Sequence, residues 1–377
     1  MPTIIRTNAQ IDELDTFVLG KVLSEIQVAS FKNKRVLIKP NWVNHLSPST
    51  GATVDPKFIK SIVNGVKQLG ANDVKVGEGS IIDTERAFAS LDVNNIIGDS
   101  ADLIDFSKEK QWIDIPINHS KIQYLRIPEI VHEFDTIVSV AKLKTHCQTR
   151  ISFTVKNLFG LLSKASRQLA HKVDLENSIA GIYFYLMQRM NVVGILDGSI
   201  AMEGRNGPLK GEPVKLNVVI SGDNASEVDY GGCLVIGCSP NTVEHLVKIE
   251  NSSNKKYDIS LIKGYEGDFP IRQFELPPVG GWRGPLNLSP LVQIIFKKRP
   301  LWLYEDRCTF CGECIQICPA NCLSNINGKI IVNNEKCVEC LCCSEVCSFG
   351  AMTYAVRLGW LHGALKNILK TINKLRQ

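Results

Sequence analysis

Cys308-Thr-Phe-Cys311-Gly-Glu-Cys314-Ile-Gln-Ile-Cys318-Pro319 is answered downstream by Cys337-Val-Glu-Cys340-Leu-Cys342-Cys343-Ser-Glu-Val-Cys347. Both runs read C-x2-C-x2-C-x3-C. Thiolates are soft ligands, and four of them suit an iron–sulfur cube. Two-residue gaps let three sulfurs of one tight loop converge on one cluster, while the fourth cysteine reaches the other. By that rule Cys308, Cys311, Cys314 and Cys347 hold one cluster, and Cys337, Cys340, Cys343 and Cys318 hold the second. A disulfide framework is disfavoured, because 13 cysteines without a signal pattern point to a reducing compartment. Zinc is the stronger rival, since paired C-x2-C motifs also make zinc sites. Zinc needs four ligands, however, and here eight fall into two copies of one spacing.

From about Leu301 to Tyr354 the segment resembles a bacterial two-cluster ferredoxin domain. It departs from that pattern at Ser348, where proline is usual, and in an extra Cys342 beside Cys343. Cys322 and Cys342 read as small buried thiols rather than ligands. Asn327-Gly328 is a hairpin turn between the two halves.

The chain has 377 residues, comfortable for two domains, and a hydrophobic fraction of 44% supports a real core. Met1-Pro-Thr-Ile-Ile-Arg-Thr-Asn lacks a charged-then-apolar signal pattern, and no apolar run is long enough to span a bilayer. The expectation is a cytoplasmic protein. The net charge of +5 is matched by five basic residues, Arg357, Lys366, Lys370, Lys374 and Arg376, in an acid-free stretch from Ser348 onward. A neutral body argues against nucleic acid as a partner. Residues 356–376 place Leu358, Leu361, Leu365, Ile368, Leu369, Ile372 and Leu375 at helical steps, with Lys366, Lys370 and Lys374 on the other side. Such a terminal helix either packs on the protein's own surface or contacts a membrane peripherally at the inner face.

Upstream, short apolar runs alternate with helical patterns. Strands are expected at Val36–Lys39, Asp73–Gly77, Ala101–Asp105, Asp135–Val140, Asn191–Leu196 and Lys215–Ile220. Helices are expected over 11–26, from Pro56 to a stop at Gly70, over 84–98, 152–162 and 177–190, after Ala225 and from Ser239-Pro240. The reading is an α/β domain with a largely parallel sheet over residues 1–276, then a linker or cover over 277–300 rich in Pro and Gly. A small α+β two-cluster ferredoxin-like domain over 301–354 and a basic helix over 355–377 complete it.

Ligands of open α/β sheets bind beyond the carboxyl ends of the strands. Those ends supply Lys39 and Asn41; Glu78 and Ser80; Lys142, Lys144 and His146; Asp197; and Asp223. Each alone is ordinarily a solvated loop residue; their shared position suggests a joint site. Lys142, Lys144 and His146 alternate and would share a side of a continuing strand, suiting an anionic small molecule. Lys156-Asn157 lies among Phe153, Val155, Leu158, Phe159, Leu161 and Leu162, so its lysine either snorkels outward or is desolvated and functional. Glu203 sits on the glycine-rich Met202-Glu203-Gly204-Arg205-Asn206-Gly207-Pro208. Gly77-x-Gly79 is too short for a dinucleotide fingerprint, and no P-loop sequence is present.

Lys39-Pro40-Asn41-Trp42, Lys142-Leu-Lys144-Thr-His146, Lys156-Asn157-Leu-Phe-Gly160, Asp197-Gly198 with Met202-Glu203-Gly204, and Asp223 with Asp229 together resemble the family labelled domain of unknown function 362. The likeness covers about residues 35–250 and confers no reaction. A fainter likeness is to the nickel-pincer lactate racemases, through His146, Lys156 and His171. The glycine-rich segment expected between them is missing, so only a shape is implied.

The sequence is compatible with three functions. The first is a reductase-type oxidoreductase passing electrons from two [4Fe–4S] clusters to an anionic substrate or cofactor in the cleft. Lys156 and His146 are its candidate catalytic residues. Lys39, Asn41, Glu78, Lys142, Lys144, Asn157, Asp197 and Glu203 are its candidate binding residues. The second is an electron carrier or maturation factor that docks a donor or acceptor protein. The third is a racemase-like enzyme with structural clusters. Any further cofactor is unspecified.

Overall fold

The computed structural model describes residues 1–6, 14–81, 83–205, 207–253, 256–257, 262–264, 267–277, 298–302 and 304–356. The chain divides into two compact units, Met1–Pro277 and Pro278–Gln377.

In the first unit, strands β1 (Thr3–Arg6), β2 (Arg35–Lys39), β3 (Asp73–Glu78) and β4 (Asp102–Asp105) precede a hairpin of β5 (Trp112–His119) and β6 (Ile122–Pro128). They are followed by β7 (Thr136–His146), β8 (Arg150–Ile151), β9 (Asn191–Glu203), β10 (Glu212–Val214) and β11 (Val218–Gly222). The main sheet runs β1-β11-β9-β7-β2-β3-β4, with β10 paired to β9 and β8 to β7. The five strands from β9 to β4 are mutually parallel, whereas β11 is antiparallel to β9 and β1 to β11. The sheet is therefore largely parallel.

Alternation along the strands builds a layer on each face. Val36 and Ile38 of β2 and Val74 and Val76 of β3 pack with Phe58, Ile59, Ile62, Val63 and Val66 of the helix Pro56–Gln68. Leu37 and Ile137 point the other way, into a core with the Leu175–Met187 helix and the β5–β6 hairpin. Each fully buried aliphatic side chain stabilises these layers by about 1.5–3 kcal/mol. The Pro56 helix begins as its sequence dictates, with Asp55 accepting from the Lys57 N–H at 2.8 Å and proline in the first turn.

Several local expectations change. The polar middle holds the β5–β6 hairpin, whose Ile115, Ile117, Ile122, Leu125 and Ile127 face the core. The helix expected over 84–98 splits into Thr84–Ser90 and Val93–Ile97, because Asp92 takes a left-handed φ of 55°. The 152–162 segment is one α-turn, Thr154–Asn157, followed by a 3-10 turn, Leu158–Leu161. The strand expected at 215 starts at Val218, after Asn217 with φ 55°. After Ser239, the chain makes a 3-10 turn and becomes α-helical only at Glu244–Ser253. Of the helix expected over 11–26, residues 11–13 lie outside the described residues, and the rest holds Leu14–Phe17 and a π-turn, Val18–Val22.

The second unit has two similar halves. β12 (Lys298–Trp302) pairs antiparallel with β15 (Met352–Val356), and β13 (Leu323–Ile326) pairs with β14 (Lys329–Val332). The helices Glu313–Ile317 and Cys342–Val346 pack on each other. Asn327 and Gly328, both at positive φ, form the expected hairpin turn. Of the linker expected over 277–300, residues 278–297 lie outside the described residues and 298–300 instead open β12; of the basic helix expected over 355–377, residues 355–356 instead close β15 and the rest lies outside the described residues. No described helix is long and apolar enough to cross a membrane.

Gly77 and Gly79 have packing reasons. A Cβ on Gly77 would lie 2.3 Å from the Phe106 ring and 3.1 Å from Leu37. One on Gly79 would lie 2.5 Å from the Gly160 carbonyl oxygen. Gly77→Ala should overpack this layer and lower stability by about 1–3 kcal/mol. Chemical denaturation measures this, and an unchanged midpoint would mean that Phe106 has room to move.

Candidate functional site

The carboxyl ends of β2, β3 and β7 meet in a hydrogen-bonded knot. Lys39 closes β2, and its ammonium donates to Glu78 Oε1 at 2.5 Å and to the Pro40 carbonyl at 2.8 Å. Glu78, at the end of β3, also accepts from the backbone N–H groups of Trp42 and Gly79, each at 2.7 Å. Asn157 bridges strands: its amide donates to the Lys39 carbonyl at 2.9 Å and to Ser139 Oγ at 3.1 Å, and its Oδ1 accepts from Asn41 at 3.1 Å. Lys39, Asn41, Glu78 and Asn157 thus form one network. Ser80 donates to the Trp42 carbonyl at 2.6 Å beside it.

The β7 strand runs on to His146, as the alternating residues anticipated. Lys142 pairs with Asp197 across to β9 at 2.6 Å, and Lys144 donates to the Ala52 carbonyl. A solvated edge is excluded, because Lys39, Lys142 and Lys144 are 1%, 2% and 0% exposed. His146 Nδ1 accepts from the N–H groups of Gln148 and Thr149 at 3.1 and 3.3 Å. A neutral His146 therefore carries its proton on Nε2. Burial first, then the nearby charges of Lys156, His171 and Lys144, hold His146 well below its ordinary range. Burial, Lys156 and Arg167 likewise push His171 down to about 3. Lys156 lies over the Phe159 ring at 5.7 Å, and His171 meets that ring edge-on at 5.4 Å. Arg167 spends its donors on the carbonyls of Leu162 and Ser80. Burial and the same nearby cations, Lys156, Lys144 and Arg167, thus keep both imidazoles neutral.

Asp229, absent from the expected binding set although part of the family pattern, positions Lys156 and Asn157. Its buried carboxylate accepts from the Thr154 N–H at 2.8 Å, the Thr154 hydroxyl at 2.5 Å and the Val155 N–H at 3.0 Å, capping their short helix. Burial outweighs these bonds and pushes its carboxyl up to about 6. Asp223 does not belong with the other strand ends. Because β11 is antiparallel, Asp223 lies at the opposite edge of the sheet, where it accepts from the Gln27 N–H at 2.8 Å. Glu203 is held by Arg272 at 2.8 Å and by the Glu275 N–H at 3.1 Å, and no described bond joins it to the lysines.

In the second unit the eight cysteines sort as their spacing requires. Cys308, Cys311, Cys314 and Cys347 line one small pocket. Cys318, Cys337, Cys340 and Cys343 line another. The backbone settles the register around Cys342. Phe310 and Gly312 in one loop and Glu339 and Leu341 in the other take positive φ. Leu341 therefore stands in the place of Gly312, and Cys343 in the place of Cys314. Cys342 turns its thiol toward the Cys340 carbonyl. Cys322 lines the second cavity, with its sulfur 3.4 Å from that of Cys318. Burial and the neighbouring Cys347, Cys311 and Cys308 sulfurs push Cys314 up to about 11. A thiol set of this kind suits a group whose iron supplies the positive charge that thiolates need. The N–H groups of Glu339 and Met352 point at Cys337 and Cys347 at 3.4 and 3.3 Å.

Two expectations follow from the buried charges. Lys39→Met should destabilise by about 3–5 kcal/mol by stranding Glu78, and adding Glu78→Gln should restore most of that loss. Denaturation of the three proteins tests this, and a double variant as weak as the single one would deny the coupling. His171 is depressed from 6.5 to about 3, so its contribution to stability is complete above pH 6.5 and is lost as pH falls toward 3. The slope it adds approaches about 1.4 kcal/mol per pH unit. His171→Gln should flatten that part of the acid limb in thermal unfolding, and an unaltered limb would place the acid sensitivity elsewhere.

A 4Fe–4S binding domain matches residues 301–324, and the second unit is of iron–sulfur, ferredoxin type. A thylakoid-associated protein of Synechocystis sp. is 22% identical over 301 residues, spanning 72% of this chain and 87% of the relative. Ferredoxin-1 of Rhodobacter capsulatus is 39% identical over 35 residues, which make up 9% of this chain and 54% of that ferredoxin. Among solved structures, the lactate racemase apoprotein of Thermoanaerobacterium thermosaccharolyticum aligns with a TM-score of 0.40 at 12% identity, over 62% of this chain and 56% of that one. The Domain of unknown function (DUF362) matches residues 36–233, more than half of the chain, and the protein belongs to that family.

Proposed function

We propose that the protein is a reductase-type iron–sulfur oxidoreductase that passes single electrons to an anionic substrate or cofactor at the carboxyl edge of its α/β sheet. The observation that carries this reading is the pair of cysteine quartets, each lining its own cavity. Cys308, Cys311, Cys314 and Cys347 would hold one [4Fe–4S] cluster, and Cys337, Cys340, Cys343 and Cys318 the other. Such clusters supply one-electron transfer. Lys144 and Lys156 contribute the positive potential that favours an anion and stabilises charge gained on reduction. His146, neutral with its proton on Nε2, adds no charge of its own to that edge. Lys39 and Lys142, already neutralised by Glu78 and Asp197, hold the strand ends in place. Asn41 and Asn157 orient that network.

Protein purified without oxygen should contain about eight iron and eight sulfide per chain, as two four-iron cubes require. A zinc-only product under the same conditions would end the cluster assignment. Native mass spectra of the same preparation should show a bound anion beyond the cluster mass. Lys156→Met should lose that anion while keeping the clusters. Equal anion mass in both proteins would move the site elsewhere. Electron delivery to a partner protein with no bound anion in either would favour the carrier reading.

A further inference from the structure

Within the first unit, the helix Ala225–Val235 ends in a left-handed closure that brings two cysteines together. The Cys238 N–H donates to the Cys233 carbonyl at 2.9 Å, and the Gly237 N–H to that of Leu234 at 3.2 Å, with Gly237 at φ 70°. These two bonds define a Schellman motif, in which the first and last residues ordinarily make an apolar contact. Here that contact is a pair of thiols, both fully buried. The 2.9 Å bond between their backbones keeps the two Cα atoms within about 7 Å, inside the reach of a disulfide.

A second observation makes this more than a packing contact. Arg150 is 9% exposed, adopts φ 65°, and leaves its Nε–H without a partner. Its guanidinium faces the Cys238 sulfur. Among the described residues no carboxylate forms an ion pair with it, so the anion at hand is Cys238 itself. The hydrogen bond from Cys233, and then Arg150, pull Cys238 down to about 6, while burial pushes Cys233 up. One sulfur is thus suited to attack and the other to wait as a thiol.

We propose that Cys233 and Cys238 form a peroxide-sensitive dithiol, with Cys238 the attacking thiolate, Cys233 the resolving thiol and Arg150 the positioning cation. The Cys238 thiolate attacks one oxygen of hydrogen peroxide, giving a sulfenic acid and hydroxide, which becomes water by taking up the proton that Cys238 gave up on ionising. Cys233 then attacks the Cys238 sulfur, and the departing hydroxide takes the Cys233 proton. Two thiols and one peroxide give one disulfide and two waters. Oxidation also removes the counter-charge of Arg150, the cross-strand partner of His146. Any effect at the strand edge rests on the function proposed above; the bond itself does not.

The full chain, purified without oxygen, is treated with increasing hydrogen peroxide, denatured, alkylated and digested with trypsin. Residues 216–248 form one tryptic peptide whose only cysteines are Cys233 and Cys238, and residues 145–150 report Cys147, a buried thiol outside the pair. The 216–248 peptide should lose both labels and about 2 Da at a peroxide dose at least tenfold below that which affects Cys147. Arg150→Gln should slow closure roughly tenfold at pH 7, as the thiolate fraction falls toward that of a free cysteine. Arg150→Lys, which keeps the charge, should retain most of the rate. Cys233→Ser should stop at a sulfenic acid on Cys238. Loss of label from the pair and from Cys147 at the same dose, or unchanged closure in Arg150→Gln, would overturn the proposal.

Discussion

Asn157 is the group on which the carboxyl edge of the sheet depends. One amide binds the last carbonyl of β2, a hydroxyl of β7 and the side chain of Asn41. It satisfies backbone and side-chain groups at the place where the β2–β7 ladder ends and no strand can supply a partner. A buried carbonyl left without a donor there would cost about 1–3 kcal/mol. Asn157 is itself placed by Asp229, which caps its helix from the far side of the chain. The α/β core thus delivers a Lys-Asn pair to the sheet edge through one buried carboxylate.

Burying cations at that edge requires compensation, and two arrangements are used. Lys39 and Lys142 are each matched by a carboxylate from the neighbouring strand. Arg167 and Lys144 also place donors on carbonyl oxygens, which satisfies hydrogen bonds that burial would otherwise break. The result is a cation-rich region in which His146 and His171 remain neutral. Strand order explains which residues join it. Parallel strands deliver their carboxyl ends to one edge, and antiparallel β11 delivers Asp223 to the other.

The second unit solves a different problem with repetition. Each half places three cysteines on a loop whose positive-φ residues recur at matching positions. Glycine fills one such position in the first loop and leucine in the second. A leucine at φ 60° is an uncommon backbone choice, and it persists because the surrounding loop over-determines it.

Much of this protein is written in local sequence. The cysteine spacing assigns two quartets because ligand geometry on a tight loop depends on intervals of two and three residues. The alternation of apolar runs with helical periods assigns the α/β class, since both periods are local. Asp55-Pro56 and Asn327-Gly328 likewise carry their own start and turn. The tertiary structure decided what pairs at long range. Glu78 reaches Lys39 from the neighbouring strand, Asp229 caps a helix far earlier in the chain, and Arg272 occupies Glu203. The β5–β6 hairpin was not read from the sequence, because the polar residues between its alternating isoleucines make the stretch look like a polar loop. The sense of β11, the burial of the β7 lysines and the meeting of Arg150 with Cys238 depend on how distant segments pack, and side-chain periodicity carries no information about that.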